Sequence, residues 1–236
     1  PGVAALHPAV HGLLPDDRVM VMEDLGDARD LTGIYAGATV DDAILCALAN
    51  YRRVLHDAPV SDAPLLANRA MRALNHVHMY ALPFQPDNGI DLDGVLPGLA
   101  DAAVKLLADG AIAEVAAQVG CVYLSDGQTL LHGDFYPGSW MRTPSGSLHV
   151  LDPEFAFLGP AEFDVAVASA HLHIASGDPD DRLLRHYAPG PRFDLGLARR
   201  MAGLEILRRI LGVAQLPLTA DLRARVALLE AARELV

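Results

Sequence analysis

Residues 130 to 157, LLHGDFYPGSWMRTPSGSLHVLDPEFAF, constrain the fold more than any other stretch. Short apolar segments flank the turn TPSGS, and both are too brief for a helix of ordinary length, so they read as strands. The stretch predicts a β-hairpin. Asp134, Asp152 and Glu154 stand at the strand ends, and if the strands pair, the carboxylates can face one space beside the hairpin. Carboxylates grouped this way hold a metal or a proton: their hard oxygens suit Mg²⁺, and an aspartate opposite it can orient a hydroxyl.

The rest of the chain is patterned differently. HPAVHGLL reads as extended, PDDR as a turn, and VMVM as a short strand ending in EDLG. DDAILCALANYRRVLH has helical spacing, with Asp41 and Asp42 suited to its N-terminus. SDAPLLANRAMRALNHVHMY reads as a second helix, and PFQPDNGIDLDGVLPG as a loop. PGLADAAVKLLADGAIAEVAAQVGCVYL is helical with a break at Asp109-Gly110. Helical patterning returns in FDVAVASAHLHIA, DLGLARRMAGLEILRRILGVA and TADLRARVALLEAARELV. An α+β class is expected, with a small β piece over residues 1–26 and a mostly helical part over 27–236 that holds the hairpin.

Length and charge narrow the function. With 236 residues and 52% hydrophobic content, one domain or one and a half can bury a core. No apolar run reaches the ~18 residues of a membrane span, so no membrane partner is expected. No signal peptide is read at Pro1, where Pro8, Gly12 and Pro15 interrupt the segment. The net charge of -12 repels phosphate backbones, and no basic patch with aromatics offsets it, so nucleic acid is not an expected partner. Lys105 is the single lysine. Cys46 and Cys121 lie in apolar helical context and read as buried free thiols, in keeping with a reducing cytoplasm.

Other polar clusters have plain readings. His76/His78 and His171/His173 form H-x-H pairs that could bind zinc on a strand, but on a helix residues two apart do not share a face. The pairs Arg52-Arg53 and Arg199-Arg200 read as solvated helix faces, as do Glu230 and Glu234. An aspartate in a loop is most often a turn or cap residue, so HGD alone says little. HGD-x4-S, a turn, a strand, D-x-E, then GP and FD together are more specific.

These motifs resemble the aminoglycoside phosphotransferase branch of the protein-kinase-like fold. Within it, HGDFYPGS and DPEFAFLGPAEFD are similar to the catalytic and metal-binding motifs of the methylthioribose kinase family. VMVMEDLG, LNHVHMYALPF, NGIDLD and EILRRILGVAQLPL also look like family stretches, so the resemblance covers about residues 5 to 218. It implies a kinase that uses ATP and Mg²⁺ on a small sugar, 5-methylthioribose before an aminoglycoside or other small molecule. Asp134 would be the catalytic aspartate, Asp152 and Glu154 the metal ligands, and Glu23, Asp24 and Leu25 the adenine-binding hinge. Ser139 stands where many relatives place a second-metal asparagine. Arg208 and Arg209 would hold the sugar, as a guanidinium fork suits vicinal hydroxyls. His132 would fix the loop, and Asp164 would pin it through backbone hydrogen bonds. The family also suggests a homodimer.

The sequence departs from the family in two ways. Tyr136 replaces a histidine after HGD, and Trp140 follows Ser139 where an aliphatic residue is usual; both positions border the substrate side and put the sugar's identity in question. No glycine-rich loop or strand lysine occurs, and Lys105 lies in a helical segment. On the resemblance, residues 1–26 would be the last strands of a small lobe and the hinge, and 27–236 the large lobe. Two readings follow, a kinase's large lobe or a kinase-like scaffold without catalysis; retention of all three carboxylates favours the first, since clustered carboxylates repel one another without a metal. A metal-dependent hydrolase ranks last, for want of an activated nucleophile.

Overall fold

A computed structural model describes residues 6–61, 63–85, 88–108, 110–177 and 181–236. The chain opens with an antiparallel hairpin of β1 (Val10–Leu14) and β2 (Val19–Met22). Its turn needs Arg18 at φ 54°, with the Arg18 amide donating to the Pro15 carbonyl. Most side chains on both faces are exposed, including Leu13, Leu14 and Met20.

The body is helical. Helix α1 (Asp42–His56) starts where the Asp41 carboxylate accepts from the Ile44 amide at 2.8 Å. The second helix begins later than its sequence suggests. Asn68 takes the left-handed conformation, φ 42°, after a short turn, so α2 runs only over Arg69–His76 and widens into a π turn over Val77–Ala81. A single turn, α3 (Leu92–Val95), precedes α4 (Leu99–Leu107) and α5 (Ala111–Leu124). The helices part around Gly110, which has φ +71°; Asp109 of the expected break lies outside the described residues.

The hairpin within the 130–157 stretch is present: β5 (Trp140–Arg142) pairs antiparallel with β6 (Leu148–Val150), with Trp140 opposite Val150. A two-residue strand, β3 (Arg29–Asp30), extends this sheet along β5. Strand β4 (Thr129–Leu131), which leads into HGD, pairs instead with β7 (Phe157–Gly159). Asp134 precedes β5 and Asp152 follows β6, so the hairpin register brings both ends of the motif to one side.

Behind the sheets lie α6 (Glu162–Ser176), α7 (Arg182–Tyr187), α8 (Leu195–Leu211) and α9 (Leu222–Leu235). Helix α8 is packed between α6 and α9. From Met201 to Leu211 every residue is buried, its charged ones included, which marks a central helix rather than a two-faced surface one. One core joins α4, α5, α8 and α9; a second joins α1, α7 and the β5–β6 hairpin around Phe135 and Trp140. Burial overturns two readings. Arg52, expected in solvent, is fully buried against the Phe135 and Tyr187 rings and donates to the Asp164 carbonyl. Cys46 and Cys121 are exposed, because their helix faces turn away from the cores.

Candidate active site

The site grows from the loop that follows β4. Asp164, on the first turn of α6, accepts the His132 amide at 2.7 Å and the Gly133 amide at 3.1 Å, one on each carboxylate oxygen. Burial alone would raise the Asp164 pKa, but the hydrogen bond and charge of His56, with His132, hold it below the usual carboxylate range. The His132 ring spans the loop: Nε2 donates to the Leu151 carbonyl at 2.7 Å, and Nδ1 receives the Asp134 amide at 3.4 Å. The carbonyl can only accept, which assigns the ring proton to Nε2.

Gly133 has φ +86°, and a Cβ there would lie 2.1 Å from the Phe155 carbonyl oxygen. Only glycine lets the HGD loop press against the DPEF segment. Ser139 is buried, with its hydroxyl donating to the Asp134 carbonyl at 3.1 Å, and the Leu151 amide donates to the Ser139 carbonyl at 2.9 Å. These bonds make the strands around Asp134 and Asp152 one backbone unit.

Asp134 stands at the mouth of this unit, its side chain 27% exposed. Its Oδ1 faces Arg209 Nη2 at 3.4 Å and Arg208 Nη2 at 3.9 Å. Burial raises its pKa, and the two guanidinium groups only partly oppose that. Both arginines sit on the last turn of α8 and share Glu205, three and four residues earlier. Arg208 gives Nε to Oε2 at 2.5 Å and Nη2 to Oε1 at 3.1 Å; Arg209 gives Nε to Oε1 at 2.7 Å. Burial opposes the charge on Glu205, yet the arginines and His171 hold its pKa well below the ordinary value. The Arg209 guanidinium lies 5.0 Å over the Tyr136 ring. Burial first, then Asp134, with Asp152 adding, raises the Tyr136 phenol.

The other flank is a cleft of about 780 Å³ between the β1–β2 hairpin and the end of β6, lined by His7, Val10, Met20, Met22, Leu151, Asp152 and Glu154 among others. Asp152 has φ +60° and opens a turn over Pro153–Phe155. Asn68 holds that turn, its amide donating to the Glu154 carbonyl at 2.9 Å and the Ala156 carbonyl at 3.0 Å. Among the described residues, the Asp152 and Glu154 carboxylates have no hydrogen bond or ion pair. No group of three or more His, Cys, Asp or Glu is placed among them to share a metal. Two free carboxylates at a cleft fit a Mg²⁺ that completes its shell with water and substrate oxygens.

The hinge expected at Glu23, Asp24 and Leu25 closes the β1–β2 hairpin. The Glu23 amide donates to the Ala9 carbonyl, its carboxylate accepts from the Ala9 amide at 3.0 Å, and Asp24 caps the Gly26 amide at 2.8 Å. Trp140 is a correction. Its side chain, expected on the substrate side, is fully buried in the second core, 5.2 Å from the Phe135 ring, and presents no surface to a ligand.

Sequence reading passed over Glu205, Tyr35 and Asn68, and read His171 only as half of an H-x-H pair. His171 Nε2 meets Glu205 Oε1 at 3.1 Å, and its Nδ1 meets the Tyr35 hydroxyl at 2.6 Å. The spacing of Glu205 to the two arginines was a usable signal. For Tyr35, far away in sequence, there was none.

The class follows from comparison. Residues 4–201 match the Phosphotransferase enzyme family, and the chain belongs to it. Among curated relatives, methylthioribose kinase of Bacillus velezensis is 29% identical over 192 residues, covering 76% of this chain and 48% of that protein. The enzyme of Escherichia coli is 39% identical over 79 residues, covering 34% and 19%. The solved spectinomycin phosphotransferase, in complex with ADP and spectinomycin, superposes at a TM-score of 0.53 with 13% identity, over 92% of this chain and 71% of that one. The fold is therefore kinase-like, and the chain spans about half or less of the length of these curated relatives.

Proposed function

We propose that the chain carries the catalytic and acceptor-binding part of a kinase that moves the γ-phosphoryl group of ATP to a hydroxyl of a small sugar. The observation that carries this reading is Asp134: a carboxylate fixed by its loop, with the arginine pair on one flank and the Asp152–Glu154 cleft on the other. Both arginines approach Oδ1, which leaves Oδ2 to orient the acceptor hydroxyl and take its proton as the new O–P bond forms. A Mg²⁺ held by Asp152 and Glu154 would neutralise charge on the triphosphate. Catalysis here is positioning and charge stabilisation more than covalent chemistry.

The acceptor is 5-methylthioribose, phosphorylated at its anomeric hydroxyl. The similarity to methylthioribose kinases supports it. The planar guanidinium forks beside Asp134 suit the vicinal hydroxyls of a sugar. The test is ADP formation from Mg·ATP by the longest natural chain that carries these residues, with and without the sugar. Stimulation by 5-methylthioribose and its loss in Asp134→Asn are expected. Absence of ADP formation with every sugar and aminoglycoside would leave a scaffold without catalysis as the better reading.

A further inference from the structure

The arginine pair is buried deeply for groups expected to meet a substrate: Arg208 and Arg209 are only 5% and 7% exposed. Long charged side chains held this way need a counter-charge that is itself fixed. Glu205 supplies the charge and accepts on both oxygens. Its position is set in turn from behind. The carboxylate is acceptor-only, so the His171 contact at 3.1 Å puts a proton on Nε2. Nδ1 is then an acceptor, and the Tyr35 hydroxyl at 2.6 Å is its donor. Each proton in this row has one consistent place, and the row runs from Tyr35, in the turn before α1, through α6 to the last turn of α8. Tyr136 closes it, with its ring 5.4 Å from His171 and under Arg209.

We propose that His171 and Tyr35 are positioning residues for acceptor binding: through Glu205 they fix the angle at which Arg208 and Arg209 meet Asp134 and the sugar. Neither touches substrate. This rests on the kinase reading for its functional consequence, while the fixing of the arginines is a property of the fold by itself. Tyr35, His171, Glu205 and the arginines are not among the residues lining the Asp152–Glu154 cleft, so on the kinase reading the row acts on the sugar rather than on the nucleotide.

The test uses the longest natural chain, with Tyr35→Phe, His171→Leu and His171→Gln. Glutamine can still donate to Glu205; leucine cannot. The leucine variant is expected to raise the KM for the sugar about ten-fold or more, because small misplacements of positioning groups are costly. The KM for ATP should change less than about two-fold. Glutamine should restore most of the loss, and Tyr35→Phe should fall between. Equal changes in both KM values, or no change in either, would overturn the inference. If the leucine variant fails to fold, Tyr35→Phe decides by the same criteria, since it removes one oxygen and keeps the ring. If the parent protein shows no phosphoryl transfer at all, the kinase reading fails separately. The arginine Nε–H signals then decide: faster hydrogen exchange in Tyr35→Phe than in the parent supports the positioning role, and identical exchange overturns it.

Discussion

Two aspartates of this site carry opposite thermodynamic signs. Asp164 is fully buried, accepts two backbone amides and has its pKa held down, so its charged form stabilises the fold. Asp134 has its pKa pushed up by burial despite two arginines, so its ionisation costs stability, a cost that grows as the pH rises above the ordinary carboxylate value and is complete above its folded pKa. A carboxylate kept charged at net cost is a mark of function rather than of folding. Asp134→Asn should therefore abolish phosphoryl transfer yet leave the melting temperature at pH 7 unchanged or higher. Asp164→Asn should lose about 3 kcal/mol, since an amide cannot accept both backbone N–H groups or face His56 as an anion. Thermal denaturation of the two variants at pH 7 checks this, and a lower melting temperature for Asp134→Asn than for Asp164→Asn would contradict it.

Between elements, the contact to watch is the one between α2 and the turn after Asp152. Asn68 precedes α2 in a left-handed conformation and spends its amide on two carbonyls of that turn. Asn68→Gly keeps the backbone conformation and loses both bonds, at about 1–2 kcal/mol. Asn68→Ala also takes on left-handed strain and should be the less stable of the two. Both should weaken Mg·ATP binding before sugar binding, because the turn carries Asp152 and Glu154. Calorimetric titration with each ligand separates the effects; equal loss of both would show that Asn68 acts on overall stability alone. The legible and illegible parts of the sequence divide along the same line. Segments whose signals are local were readable: the β1–β2 hairpin from PDDR, the β5–β6 hairpin from TPSGS, α1 from its spacing and Asp41, and the other long helices from spacing. The start of α2 was not, because a left-handed Asn68 is stabilised by carbonyls at residues 154 and 156. The same holds for Arg52, buried against Phe135 from another part of the chain, and for Trp140, buried in a core that α1, α6 and α7 complete. For the candidate site, motif order singles out Asp134, Asp152 and Glu154, whereas Tyr35 and His171 enter only through contacts made in three dimensions.

At the scale of the whole molecule, the buried polar row links stability to pH. His171 is fully buried, and burial lowers its pKa from about 6.5 to about 4, with the Glu205 bond opposing and Arg209 adding to the shift. The unfolded chain therefore binds a proton at this histidine, between about pH 6.5 and about 4, that the folded chain does not. Where the unfolded state holds more protons, stability falls as the pH falls. The contribution is intact above the upper limit and lost across that window. Asp164 and Glu205, both held low, act in the next window down: their stabilisation is present above the ordinary carboxylate range and disappears as the pH drops through their folded values. Asp134 works against them, its cost fading as it protonates. The melting temperature should thus begin to fall below about pH 6.5 and fall more steeply near pH 4. His171→Gln removes the first titration and should flatten the upper part of the curve. Burial also lowers His7 and His76, which remain in the variant, so the slope lessens without vanishing. Melting temperatures of parent and variant between pH 7 and pH 4 measure this directly, and parallel curves would mean that His171 takes up its proton equally in the folded and unfolded chain.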